Sequence, residues 1–148
     1  MLFRSGRRTE PTVLKWEELT EGCTLEAEHR GYAHRSSRAV HHRRFHLSPG
    51  ILLITDRLTL RKREHAISRI PLAPGVKATL EGDLVRCHLG DFHFVVKAEG
   101  APRVSLETAV SWPQFGKGQE RLVITVAVEA GAPREEWSTA ISWDPERR

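Results

Sequence analysis

Apolar and polar residues alternate with a period of two along most of this chain, and the alternation restarts about every ten residues behind a group of turn-forming residues. The punctuation is Pro49-Gly50, Glu81-Gly82-Asp83, Gly90-Asp91 and Gly-Ala-Pro. No segment sustains the 3.6-residue period of an amphipathic helix. The pattern predicts strands near Thr12–Trp16, Thr24–His29, Val40–Leu47, Ile51–Leu60, His65–Leu72, Val76–Leu80, Leu84–Leu89, Phe92–Glu99, Arg103–Trp112, Arg121–Val128 and Trp137–Trp143. Strands of this number and spacing, without an internal repeat or a low-complexity linker, predict an all-β fold. The expected architecture is an antiparallel two-sheet β-sandwich of about eleven strands, as a single domain over residues 1–148.

Two hairpins can be put in register from their turns, because a tight turn fixes which residues oppose each other and alternation fixes which face is buried. With Pro49-Gly50 at the tip, Leu47 opposes Leu52, Phe45 opposes Ile54, Arg43 opposes Asp56 and His41 opposes Leu58. This face is apolar with one ion pair inside it. A carboxylate at Asp56 is desolvated among Leu52, Ile54, Leu58 and Leu60, and Arg43 is placed to partner it. The structural ion pair is the favoured reading over a catalytic or ligand-binding carboxylate. The other face sets His42, Arg44 and His46 beside Arg57, Thr55 and Leu53, and only this basic, imidazole-rich face is expected to meet a ligand. With Gly90-Asp91 as the second tip, Leu89/Phe92, Cys87/Phe94 and Val85/Val96 form an apolar set, and His88 faces His93 outside.

A hydrophobic content of 39% over 148 residues suits one core. The longest apolar runs fall far short of the roughly 20 residues of a membrane helix, so a soluble chain with no membrane partner is expected. The start, Met1 to Arg8, is basic without a following apolar stretch, which argues against an ordinary secretory signal and leaves localisation open. Cys23 and Cys87 are too few for a disulfide framework and are read as free thiols. The net charge of +4 conceals a concentration. From Arg30 to His65 there are nine arginines and lysines against Asp56 and Glu64, an excess of seven positive charges. Such a stretch is either a solvated basic face or a surface for a polyanion.

Candidate chemistry is sparse. His42 and His46 share a face, and His88 pairs with His93, but neither pair has a third ligand at a fixed spacing, so no metal and no cofactor are expected. No Gly-x-Ser-x-Gly elbow is present, and Phe115-Gly116-Lys117-Gly118 is a loop without the Walker pattern. Trp137, Ile141 and Trp143 share strand parity and fill the core in preference to forming a sugar platform. Tyr32, the only tyrosine, lies in His29-Arg30-Gly31-Tyr32-Ala33-His34. Tyrosine and histidine together can move protons, but for an isolated loop a turn with an amphipathic anchor is the favoured reading. Nucleic-acid binding ranks low because exposed aromatics do not interleave with the basic run.

The succession Phe3-Arg4-x-Gly6-Arg7-Arg8, Glu26-Ala27-Glu28-His29-x-Gly31-Tyr32, Val40-His41-x-Arg43-Arg44, Ile54-Thr55-Asp56-Arg57-Leu58 and His65 resembles the C-terminal β domain of heparinase II/III-like proteins. One departure is Arg30, which stands where an Asp is usual, so any role tied to that acid is in doubt. The resemblance implies a bacterial polysaccharide lyase architecture in which an α/α toroid precedes β-sandwich layers. It implies β-elimination on uronic-acid polysaccharides, with Tyr and His as acid and base in parts that precede this domain, so no catalytic residue is assigned here. The implied partners are an acidic, glycosaminoglycan-like polysaccharide and an α/α toroid in cis or in trans. A free-standing carbohydrate-binding module for acidic glycans is the alternative.

Overall fold

A computed structural model describes residues 11–100, 103–131 and 133–144. The Phe3–Arg8 element of the family-like pattern lies outside the described residues. The described residues form eleven strands and no helix: β1 (Thr12–Leu19), β2 (Gly22–His29), β3 (Val40–Ser48), β4 (Ile51–Thr59), β5 (Glu64–Pro71), β6 (Lys77–Glu81), β7 (Leu84–Leu89), β8 (Phe92–Glu99), β9 (Arg103–Gln114), β10 (Lys117–Ala130) and β11 (Arg134–Trp143). All neighbouring strands pair antiparallel, in an eight-stranded sheet of order β1-β2-β3-β4-β11-β8-β7-β6 and a three-stranded sheet of order β5-β10-β9. The two-sheet, eleven-stranded expectation holds.

Local sequence accounts for most of this layout. The β3–β4 and β7–β8 hairpins have the registers that their turns predict, with Arg43 opposite Asp56 and His88 opposite His93. Gly50 and Gly90 sit at the tips with φ of 77° and 58°, a left-handed conformation open to glycine at little cost. The stretch from Phe115 is not a loop: β9 and β10 run into a tight hairpin whose turn uses Gly116 at φ 73°. Long-range pairing then places β11 between β4 and β8, so that the last strand joins two consecutive-strand meanders into one sheet.

The core forms where the small sheet lies on the large one. Ile124, Val126 and Val128 of β10 meet Leu58 of β4, Val85 and Cys87 of β7, Val96 and Ala98 of β8 and Trp137 of β11. No residue of β1, β2 or β3 belongs to this cluster. Three strands are too few to cover eight, and the inner face at the β1 end therefore stays open. Trp16, Leu25, Phe45 and Ile54 follow one another across that face, and Trp16 is 58% exposed. Trp112, beyond the part of β10 that β5 supports, is also exposed. Of the aromatic residues expected in the core, Trp137 is buried there, but Trp143 is only partly buried and lies outside the core cluster, and Trp16 and Trp112 are exposed, because strand parity names a face and cannot say whether another layer covers it.

Candidate functional site

The inner face of β2, β3 and β4 carries a connected polar chain where alternation alone suggests one ion pair. Antiparallel register sets His29 directly opposite His41 and Arg43 directly opposite Asp56, with His41 on the diagonal to Asp56. Arg43 grips the carboxylate with Nε on Oδ1 at 2.6 Å and Nη2 on Oδ2 at 2.9 Å. His41 Nε2 reaches the same Oδ1 at 2.6 Å, and His41 Nδ1 lies 3.0 Å from His29 Nε2. At the far end the Gly31 backbone N–H donates to His29 Nδ1 at 3.3 Å.

These contacts assign the protons. Gly31 can only donate, so His29 Nδ1 is unprotonated and His29 Nε2 carries the hydrogen. His29 then donates to His41 Nδ1, which leaves His41 Nε2 to donate to the carboxylate. Every bond in the row is satisfied with both rings neutral, and the only charges are those of Arg43 and Asp56. Burial acts to raise the Asp56 pKa, but hydrogen bonds from His41 and Arg43, with the Arg43 charge, outweigh it and hold the carboxyl below the ordinary range. Burial is the main cause that holds the His29 imidazole below its ordinary value, and the nearby Arg43 charge adds to it. A proton on His29 Nδ1 would also point at the Gly31 N–H.

Arg43 does a second job. Its Nη2 also donates to Ser68 Oγ of β5 at 3.1 Å, so one guanidinium ties the large sheet to the small one. Asp56 itself is 1% exposed. Such an interior pair costs desolvation that its own attraction only partly offsets, and its strength lies in the penalty for removing one partner.

Beside the chain, a cleft of about 430 Å³ opens between the 30–38 segment and β5. His41, Arg43 and Ser68 line it, with Arg35, Arg69 and Trp137. The 30–38 segment is shaped by its own backbone bonds, Ala33 N–H to Arg30 O, Arg35 N–H to Tyr32 O and Arg38 N–H to Arg35 O. Tyr32 packs edge-on against His29 at 5.3 Å, and Arg35 lies 5.8 Å from the Tyr32 ring centre. Two buried donors in the cleft wall, Ser37 Oγ and Trp137 Nε1, have no hydrogen-bond partner. An unmade bond of this kind costs about 1 to 3 kcal/mol. A larger cleft of about 1130 Å³ at the hairpin tips is lined by Glu21, Asp91 and Asp144 and by no Lys or Arg, which makes it a poor site for an anion.

The outer face of the first hairpin does bring His42, Arg44, His46 and Arg57 together, but in mixed company. β2 sets Glu28 opposite His42 and Glu26 opposite Arg44, and β11 sets Glu136 opposite Arg57. His42 Nε2 is 3.5 Å and Arg44 Nε 3.7 Å from the Glu26 carboxylate, and His46 Nδ1 bonds Thr24 Oγ1 at 3.0 Å. The strongly basic stretch thus loses much of its excess to neighbouring strands. Arg43 turns inward, Arg35 goes to Tyr32, Arg30 lies 3.4 Å from Glu28, and Arg44 and Arg57 are the cations that β3 and β4 themselves present on this face. His88 and His93 stack at 5.6 Å on the second hairpin. No group of three or more His, Cys, Asp or Glu among the described residues is arranged to hold a metal ion.

Sequence reasoning did not find the His29–His41 link. The signal was available in the two histidines flanking the 30–38 segment, but the length of that connection leaves the β2–β3 register undetermined until the strands are paired.

A sequence model of the family described as heparinase II/III-like, C-terminal, matches residues 2–144, and the chain belongs to that family. No curated protein matches the sequence. Among solved structures, heparan sulfate lyase HepC from Pedobacter heparinus superposes with a TM-score of 0.79 at 14% identity, over 94% of this chain and 22% of that one. A heparinase III superposes at 0.72 with 15% identity, over 90% of this chain and 21% of that one. A 4-alpha-glucanotransferase from Thermococcus litoralis superposes at 0.59 with 18% identity, over 86% and 22% of the two chains. The chain thus spans about a fifth of the length of these structures, and the likeness establishes the fold. A shared fold with enzymes named for different reactions does not by itself choose a reaction.

Proposed function

We propose that this member of the heparinase II/III-like C-terminal family is the β-sandwich part of a polysaccharide lyase acting on uronic-acid polysaccharides, inactive by itself and serving to support a catalytic α/α toroid and the edge of its substrate cleft. The observation that carries this reading is the family match over nearly the whole chain, together with the place of the same fold as about a fifth of a heparan sulfate lyase. In such a reaction the uronate carboxylate is neutralised, a base takes the proton from the adjacent carbon, and the glycosidic oxygen leaves with a proton from an acid. The interior His29–His41–Asp56 row does not qualify as that base, since both rings spend their nitrogens on each other, on Asp56 and on the backbone.

The outer face with His42, Arg44, His46 and Arg57 is the proposed polysaccharide-facing surface. Each exposed charge contact of this kind is worth roughly 1 kcal/mol or less and weakens with salt. Glu26 and Glu28 on the same face reduce that further, so the expected binding is weak. The deciding experiment is an absorbance assay for the unsaturated product on heparan-type substrates. The chain alone should give no turnover, and activity should appear only with an α/α toroid partner. Turnover by the chain alone sinks the supporting role.

A second reading, a free-standing carbohydrate-binding module, draws on the exposed rings of Trp16 and Trp112. Tight, saturable glycan binding by the chain alone, lost on Trp16→Ala or Trp112→Ala, selects the module.

A further inference from the structure

The cleft between the 30–38 segment and β5 brings together features that neither the fold nor the family reading uses. Two of its arginines have no acidic partner among the described residues: Arg69 makes no ion pair, and Arg35 meets only the Tyr32 ring. A third, Arg43, commits Nε and Nη2 to Asp56 and Ser68. Against them stands one free carboxylate, Glu64. The cleft therefore has an excess of about one positive charge, suited to a monoanion and weak for a polysulfated group. Its volume, about 430 Å³, lies within the range of small-molecule sites and accommodates a single sugar ring.

The independent observation comes from the wall. Ser37 is 1% exposed and Trp137 is 4% exposed, and the Ser37 hydroxyl and the Trp137 indole N–H both lack partners. Of the five buried side-chain polar atoms without a partner among the described residues, these two belong to residues that line one cleft; both are closed to solvent, so a polar ligand, or a water it orders, completes their bonding by a small shift of the cleft wall. The Ser37 position is fixed, because its carbonyl accepts the Arg61 N–H at 2.7 Å.

We infer that this cleft binds one uronate residue, with Arg69 and Arg35 meeting its carboxylate at the mouth and Ser37 and Trp137 meeting its hydroxyls at the wall. The ligand class rests on the acidic-polysaccharide reading above, while the site itself rests on the cleft. The arrangement joins charge-assisted contacts, which favour an anion, to neutral donors, which favour a hydroxylated ring.

Titration of the chain with sodium glucuronate, followed by the four indole N–H signals in a proton–nitrogen correlation spectrum, tests it. The Trp137 signal is assigned by its loss in Trp137→Phe. It should shift saturably, together with the Ser37 amide. Arg69→Ala, at an exposed strand position, should weaken that binding about tenfold or more. Glucose should leave the signals in place. Shifts that are absent, or unchanged in Arg69→Ala, overturn the site, and inorganic sulfate binding as tightly as glucuronate overturns the uronate assignment. A polysaccharide that binds while the Trp137 signal stays still removes this cleft and leaves the acidic-glycan reading standing. Failure of every acidic glycan to bind the chain alone removes this cleft and the free-standing binding module, while the supporting role is decided by the turnover assay with a toroid partner.

Discussion

His41 and Arg43 converge on the same oxygen of Asp56, each at 2.6 Å, from alternate positions of one strand. Both side chains point inward because they are two residues apart, and the hairpin register places Asp56 opposite the second and diagonal to the first. The carboxylate thus stays charged in an apolar layer because three donated bonds replace its lost water.

That arrangement predicts a large effect from a nearly isosteric change. Asp56→Asn leaves the partly buried Arg43 charge without its counter-charge and weakens the bonds from His41 and Arg43, and the domain should lose about 3 kcal/mol, the low end for a buried pair because the Arg43 side chain is 33% exposed. Thermal or urea unfolding measures this. A variant with an unchanged melting temperature contradicts the interior pair.

Acid should weaken the same region in two stages. The folded state holds the His29 pKa below its ordinary 6.5, so the unfolded chain takes up that proton first. Its contribution to stability is complete above about pH 6.5 and declines as the pH falls from there towards the folded value. Asp56 is likewise held below its ordinary 3.8, so its contribution is complete above about pH 3.8 and is lost as the pH falls through the folded value. His29→Gln keeps a donor near Nε2 without a titrating ring, and its melting temperature should fall less than the parent's between about pH 8 and about pH 5. Equal slopes in the two proteins contradict the assignment to His29.

The two thiols should separate by reactivity. Cys87 is buried in the core cluster with Val85 and with Ile124, Val126 and Val128 of β10, and burial raises its pKa to about 11. Near pH 8 only about one molecule in a thousand carries that thiolate. A disulfide reagent should therefore label Cys23, which is partly exposed, and reach Cys87 only on unfolding. Rapid labelling of both in the folded protein argues against the packing of β7 on β10.

Gly22→Ala tests the join between β1 and β2. Gly22 has φ of 135°, and an added Cβ would overlap the Leu47 carbonyl. The substitution should cost more than about 1 kcal/mol. The same change at Gly82, where nothing lies near, should cost less because only the backbone conformation opposes it. Equal losses at the two positions contradict the close approach of Gly22 to β3.

The amino-acid sequence determined what depends on near neighbours. Alternation named the strands, Pro49-Gly50 and Gly90-Asp91 fixed two hairpin registers, and the Arg43–Asp56 opposition followed from the first of them, because turn geometry and a two-residue period act over a few residues. Tertiary structure decided what depends on distant pairing and on coverage. Only the β2–β3 pairing puts His29 on His41 and Glu26 beside Arg44, and only the unequal sizes of the two sheets leave Trp16 in solvent while Trp137 is buried. The cleft beside Ser37 belongs to the same class: its walls come from the 30–38 segment, β3, β5 and β11, which no local rule brings together.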